Sequence, residues 1–269
     1  MGNRLIEAVL GGSDRTGKPR RNGVTIVLDK GELGPNSIAD LAATCGAHWD
    51  YAKVAWASSL ITGGLENKLA CYRRLGITPL FGGTLFEYAY LRNRVPVLLD
   101  LARELRVHVE ISDGVIDLPR RDKLRWIEAF AAHVEVFSEV GGKLTRQDRP
   151  WKQVINEDLA AGAKKVVIEG RELAPVGEEI RADFVDIVLS ATSAGNLVFE
   201  ALERRQQVWF IKYLGPNVNL GNVLPADLLA VESIRRGLME HTLLHMSQLE
   251  CEAGRIGTPE TSGPVGAEK

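Results

Sequence analysis

Between residues 24 and 213, short apolar runs rich in β-branched residues alternate with segments whose apolar residues recur at helical spacing. The clearest runs are VTIVLDKG (24–31), HWDYAKVAW (48–56), ITPLFGG (77–83), HVEISDG (108–114), VEVFSEVGGK (134–143), VVIEGRE (166–172) and LVFEAL (197–202). QQVWFIKY (206–213) reads as an eighth strand from its aromatic and β-branched content. Between them lie IADLAATCG, LENKLACYRRLG, TLFEYAYLRN and the segments 94–106, 120–133, 149–163 and 180–191, all with one apolar face at helical period. Gly46 and Gly76 are placed as helix stops, and Asn36 or Ser37 can cap the first helix and Thr84 the third. Beyond Pro225 the stretch PADLLAVESIRRGLMEHTLLHMSQLE reads as an amphipathic helix with proline at its start.

Strands alternating with helices imply parallel pairing, and eight such units in about 220 residues close naturally as a single-domain (β/α)8 TIM barrel. The expected organisation is an N-terminal basic loop segment (1–23), the barrel (24–250) and a tail (251–269) rich in Gly, Pro and polar residues. That tail has no apolar face to bury, so disorder is expected there.

Composition narrows the function classes. A net charge of -2, from 33 basic and 35 acidic residues, gives no general affinity for nucleic acid or anionic membrane. Arg15, Lys18, Arg20 and Arg21 are locally basic, which suits a solvated loop, with anion binding as the alternative. Cys45, Cys71 and Cys251 form no CxxC pair, which argues against a disulfide framework and a thiolate zinc site, so a soluble protein of the reducing cytoplasm is expected. No apolar run is long enough to span a membrane. The five histidines form no catalytic constellation; His241 and His245, one turn apart, more simply face solvent or a partner.

Parallel strands put their carboxyl ends on one face, where Glu110, Asp113, Glu139, Lys143, Glu169, Arg171 and Glu172 should gather. One acid at a strand end is usually a cap or an ion pair, but a cluster of half-buried acids needs cations. Glu110, Asp113, Glu139 and Glu169 offer hard oxygen ligands with no His or Cys nearby, which suits Mg²⁺; salt bridges to Lys53, Lys143 and Arg171 are the structural alternative, and both can coexist. Lys53 lies inside a strand, where an ammonium is costly unless it reaches an anion. Lys143 follows two glycines and either stays exposed or swings over the barrel mouth as a proton donor or Schiff-base amine. Asn217, Asn219 and Asn222 of GPNVNLGN, following the eighth expected strand, could bind a phosphate or sulfonate or form a plain turn.

Taken together, VTIVLDKG, GGTLFE, VEISDG, SEVGGK, VIEGRE and QQVWFIKYLGPNVNLGN resemble the phosphosulfolactate synthase family, in order, from about Asp14 to Leu244. The resemblance implies a (β/α)8 barrel that adds sulfite to phosphoenolpyruvate with Mg²⁺, gives (2R)-phospho-3-sulfolactate and assembles as a homo-oligomer. It further implies Lys143 as the general acid and Lys30, Lys53 and Arg171 as neutralisers of phosphate, carboxylate and sulfite. Glu110, Asp113, Glu139 and Glu169 would form the metal environment. The sequence departs from the family pattern in reading VAWASS for FGWGTS, EGRE for EARE and EAL for EAP, and in placing His241 where an acid is usual. A divergent member using another nucleophile on an enol phosphate, or a non-catalytic stress-related member, is the alternative.

Overall fold

The computed structural model describes residues 8–9, 15–174 and 178–254. Among them, eight parallel strands close into a barrel in sequence order: β1 (Thr25–Asp29), β2 (Tyr51–Val54), β3 (Thr78–Phe81), β4 (His108–Ile111), β5 (Val136–Val140), β6 (Lys165–Ile168), β7 (Leu197–Glu200) and β8 (Leu220–Val223). The helices between them are α1 (Pro35–Cys45), α2 (Leu65–Arg74), α3 (Gly83–Leu91), α4 (Val95–Glu104), α5 (Arg120–Ala131), α6 (Trp151–Ala160), α7 (Gly170–Leu173), α8 (Ala182–Leu189), α9 (Arg204–Leu214), α10 (Leu228–Arg235) and α11 (Leu243–Glu252). This is a single-domain (β/α)8 TIM barrel. No described helix is long and apolar enough to cross a membrane.

Period-two alternation decides what fills the barrel. Val24, Ile26, Tyr51, Leu80, Phe137, Val167 and Val198 pack together as its apolar plug. The intervening residues face outward: Val109, Ile111, Val136, Val166, Ile168, Leu197 and Phe199 join the apolar stripes of the surrounding helices. Each strand is therefore buried on both faces, which is why the runs read as nearly continuous apolar stretches.

Three expectations are revised. QQVWFIKY is not a strand but most of α9: Glu203 and Gln206 form a capping box, and buried Gln206, Gln207, Phe210 and Ile211 recur at helical spacing. The eighth strand comes later, as LGNV. The single C-terminal helix is divided into α10 and α11, with Gly237 at φ +67° between them. The basic segment is not a solvated loop where it is described. Arg15 pairs with Glu232 at 3.1 Å, Arg20 with Asp50 at 3.0 Å, and Lys18 donates to the carbonyls of Gly46 and Trp49, so this segment is tied to the amino-terminal side of the barrel. Most of the expected tail, residues 255–269, lies outside the described residues.

Candidate active site

One inward step beyond the apolar plug, four of the same six strands become polar. Ile26 gives way to Leu28, Tyr51 to Lys53, Leu80 to Gly82, Phe137 to Glu139, Val167 to Glu169 and Val198 to Glu200, while β4 contributes Glu110. In β8 the alternation is broken. Leu220 and Val223 both join the outer core, and a register shift opposite Thr25 and Val27 accommodates the additional residue. That residue is Asn222, at φ +54°, which the bulge turns toward the interior. These residues, with Trp56, Gly83, Thr84 and Lys143, line a cavity of about 250 Å³ at the carboxyl end of the barrel.

The cavity is held by ion pairs. Lys53 Nζ lies 3.1 Å from both Glu110 Oε2 and Glu200 Oε1, and Lys143 Nζ lies 2.7 Å from Glu139 Oε1. Glu110 also accepts from the Gly83 amide at 2.9 Å, and Glu200 from the Gly170 amide at 3.1 Å. Lys143 sits on a tight loop after β5. The Gly142 and Gln147 amides both donate to Glu172 Oε1, the Lys143 amide donates to the Gly114 carbonyl, and Arg171 Nε donates to the Lys143 carbonyl at 2.9 Å. Gly141 is needed in that loop: its φ is +124°, and a Cβ there would meet Glu169 Cβ at 2.6 Å.

Two lysines do not balance four glutamates. Burial pushes Glu110 up to about 8 against the pull of Lys53. Burial, with Glu200 and Glu139 beside it, pushes Glu169 up to about 9. Burial acts in the same sense on Glu139, but Lys143 and Lys53 outweigh it and hold that carboxyl down to about 2. Burial would discharge both ammoniums, yet the surrounding carboxylates reverse this and keep Lys53 and Lys143 above the ordinary lysine range. Were all four ionised, the lining would carry two negative charges in excess of the lysines; protons on Glu110 and Glu169 offset them, and one divalent cation would do the same in their place. Glu139, Glu169 and Glu200 each offer an oxygen within 4.8 Å of the others, so the residues present fit a hard cation.

The expected site residues separate accordingly. Lys53, Glu110, Glu139, Lys143, Glu169 and Asn222 come together around the cavity. Asp113 does not: its carboxylate is taken by Lys123 at 2.9 Å and Arg149 at 2.7 Å, which outweigh burial and hold it below the usual range. Lys30 is exposed and lines a separate crevice with Gly34, Ser58 and Thr62. Arg171 is at the rim, exposed, on the backbone of the lysine loop. Asn217 and Asn219 precede β8 and so lie at the opposite end of the barrel, because the segment before their loop is α9 and not a strand. There Asn219 accepts from the Val24 amide and donates to the carbonyls of Gly195 and Leu197, while Asn217 accepts from Arg15.

Four contributors were not picked out from sequence as site residues: Glu200, Ser112, Glu87 and Trp56. Glu200 carried a usable signal, since it stands two residues after Val198 as Glu139 does after Phe137. Trp56 and Asn222 are both non-glycine residues at φ +54°, and such backbone at a cavity wall is where strain and function coincide.

The family model for (2R)-phospho-3-sulfolactate synthase matches residues 13–241. A phosphosulfolactate synthase of Methanothermobacter thermautotrophicus is 37% identical over 244 residues, covering 85% of this chain and 94% of that protein. One from Bacillus subtilis is 35% identical over 240 residues, covering 85% and 95%. Among solved structures, 3-hexulose-6-phosphate synthase from Salmonella typhimurium superposes with a TM-score of 0.53 at 13% identity, covering 79% of this chain and 97% of that one, which reflects the shared barrel.

Proposed function

The chain belongs to the phosphosulfolactate synthase family, and from that premise we propose that it adds sulfite to phosphoenolpyruvate to give (2R)-phospho-3-sulfolactate. The sulfur lone pair forms a bond to C3, the C2–C3 π pair moves toward C2 and the carboxylate, and a proton bonds to C2 while the phosphate ester stays intact. Negative charge therefore gathers on the substrate carboxylate during the reaction. A Mg²⁺ held by Glu139, Glu169 and Glu200 would supply positive charge for that carboxylate.

The proton source in this reading is Lys143. Its side chain lines the cavity and keeps one-fifth of its surface exposed, and its ammonium stays charged through Glu139, Glu87 and Glu110 despite burial. Lys53 lies deeper and is engaged by two carboxylates, so its role is to fix Glu110 and Glu200 and to offer charge to an anionic substrate. Asn222, through the N–H groups of its side-chain amide, and Thr84 at the start of α3, through its hydroxyl, provide donors for the phosphate or sulfonate oxygens. The observation that carries the reading is the cluster of three carboxylates facing a charged lysine in one small open cavity.

Phosphorus NMR of the purified protein with phosphoenolpyruvate, Mg²⁺ and sulfite tests it, with Lys143→Ala alongside. A new phosphate-ester resonance that requires sulfite and is lost in the variant is the expected result. Phosphoenolpyruvate that binds and stays unchanged would exclude sulfite as the nucleophile, and failure to bind would exclude the substrate class.

A further inference from the structure

Glu87 enters the reading above only as one of the charges around the proposed proton donor, beside which it is buried. It enters from α3, which can start inside the site because Gly83 has no Cβ; one built there would lie 2.5 Å from Ser112 Cβ. One turn later, Glu87 Oε1 accepts from the Val115 amide at 2.9 Å and stands 3.2 Å from Ser112 Oγ. Its other oxygen, Oε2, is buried with no hydrogen-bond partner, 3.9 Å from Lys143 Nζ.

Ser112 Oγ is the hub. Two donors approach it, Lys143 Nζ at 3.0 Å and the Gly114 amide at 3.2 Å. Two carboxylate oxygens adjoin it as well, Glu139 Oε1 at 2.9 Å and Glu87 Oε1 at 3.2 Å. A hydroxyl has two lone pairs and one proton, so the two donors use both lone pairs and the proton can serve only one carboxylate. Glu139 Oε1 already accepts from Lys143 and Glu87 Oε1 from the Val115 amide, but Glu139 is also the carboxylate that a cation would claim, which leaves Glu87 as the acceptor free to keep the hydroxyl proton. Gly114 completes the seat: a Cβ there would meet Lys143 Cγ at 2.9 Å, so the lysine stem lies directly against its backbone.

We propose that Glu87 and Ser112 are positioning residues for Lys143. Glu87 holds the hydroxyl proton of Ser112, the hydroxyl oxygen and Glu139 then fix two N–H bonds of the ammonium, and the third is left for the open cavity. The inference rests on the reading of Lys143 as the donor to C2. Delivery from a fixed direction matters there because C2 becomes a stereocentre when the proton arrives. Neither Glu87 nor Ser112 lines the cavity, and both act through the lysine.

The test uses Ser112→Ala, Glu87→Met and Glu87→Gln in the full chain. A misdirected acid costs about tenfold to a hundredfold in kcat with KM little changed. Ser112→Ala and Glu87→Met should show that loss together with the opposite enantiomer at C2, as water protonates the unguarded face. Glu87→Gln, whose amide oxygen can still accept from Ser112, should recover most of the rate and the enantiomeric purity. Side-chain order of Lys143, read from relaxation of ε-¹³C-lysine and assigned with Lys143→Arg, should fall in Ser112→Ala and Glu87→Met and return in Glu87→Gln. Unchanged order and a single product enantiomer in all three variants would overturn the inference. An inactive wild-type protein would instead overturn the proposed reaction, and the relaxation measurement would still decide whether these two residues hold the lysine.

Discussion

Stability should fall as pH rises through neutrality, and Mg²⁺ should reverse the fall. Glu110 and Glu169 have folded-state values of about 8 and about 9 against an ordinary 4.5, so across neutral pH the folded protein retains protons that the unfolded chain has lost. For a carboxyl raised by folding, stability is fully present below the unfolded value and is lost as pH rises through the folded one. Because the two groups share one cluster with Glu139 and Glu200, we count one retained proton rather than two. One proton corresponds to about 1.4 kcal/mol per pH unit.

The window is set by the other shifted groups. Burial pushes His48 and His108 below their usual 6.5, so they act only on its acid side, and burial with Lys164 pushes Lys165 down to about 8, so it acts only above that. Between about pH 6.5 and 8 the carboxyls therefore set the slope, and the loss is about 2 kcal/mol, or ~4–8 °C in Tm. Thermal unfolding by circular dichroism in EDTA, at constant ionic strength, should show that slope. Saturating Mg²⁺ should raise Tm more at pH 8 than at pH 6.5, because the cation and the retained proton compete for the same oxygens. Glu169→Gln should flatten the profile without metal. A Tm independent of pH in EDTA, or the same Mg²⁺ increment at both pH values, would refute the charge-excess argument.

Other perturbations separate the site from its support. Lys53→Met leaves Glu110 and Glu200 buried without their ammonium, and urea unfolding should show a loss of about 3–5 kcal/mol. Glu200→Gln should weaken Mg²⁺ binding at least about tenfold in calorimetry, whereas Asp113→Asn should leave it unchanged while destabilising the fold by about 3 kcal/mol through Lys123 and Arg149. Asn219→Ala should cost about 2–3 kcal/mol, because the Val24 amide and the Leu197 carbonyl lose their partners, and kcat should be unaffected at the far end of the barrel.

Much of the barrel is visible in local pattern. Six of its strands lie inside the apolar runs read from sequence and β6 begins one residue before its run, because a strand buried on both faces has to be apolar almost throughout. The eighth was hidden for two reasons. LGNV has a glycine and a bulged asparagine at its centre and carries little strand signal, while the neighbouring QQVWFIKY has the aromatic content of a strand but the capping box of a helix. That one exchange moved Asn217 and Asn219 to the wrong end of the molecule. Asp113 shows a different limit: a carboxylate beside the site is told from one in it only by knowing that Lys123 on α5 and Arg149 reach it. Glu87 shows a third, since a helix-borne acid turns inward only because Gly83 and Ser112 pack closely enough to bring the helix start into the site.

The contrast between the two inward layers says which features serve the fold and which serve chemistry. The lower layer is apolar and shows that this barrel can be filled without charge. One step up, Lys53, Glu110, Glu139, Glu169 and Glu200 occupy equivalent inward positions on five of the strands. Each buried charge costs several kcal/mol in desolvation, and apolar replacement of a buried ion pair is often neutral or stabilising. A purely structural account would therefore favour a second apolar layer. Paired charges alone would restore part of the cost, but here the acids outnumber the lysines, and Glu110 and Glu169 absorb the imbalance by holding on to protons. The proposed reaction would explain such a layer: a cation would complete the charge balance, an anionic substrate would meet it, and Lys143, mounted on the loop after β5, would face the reacting carbon.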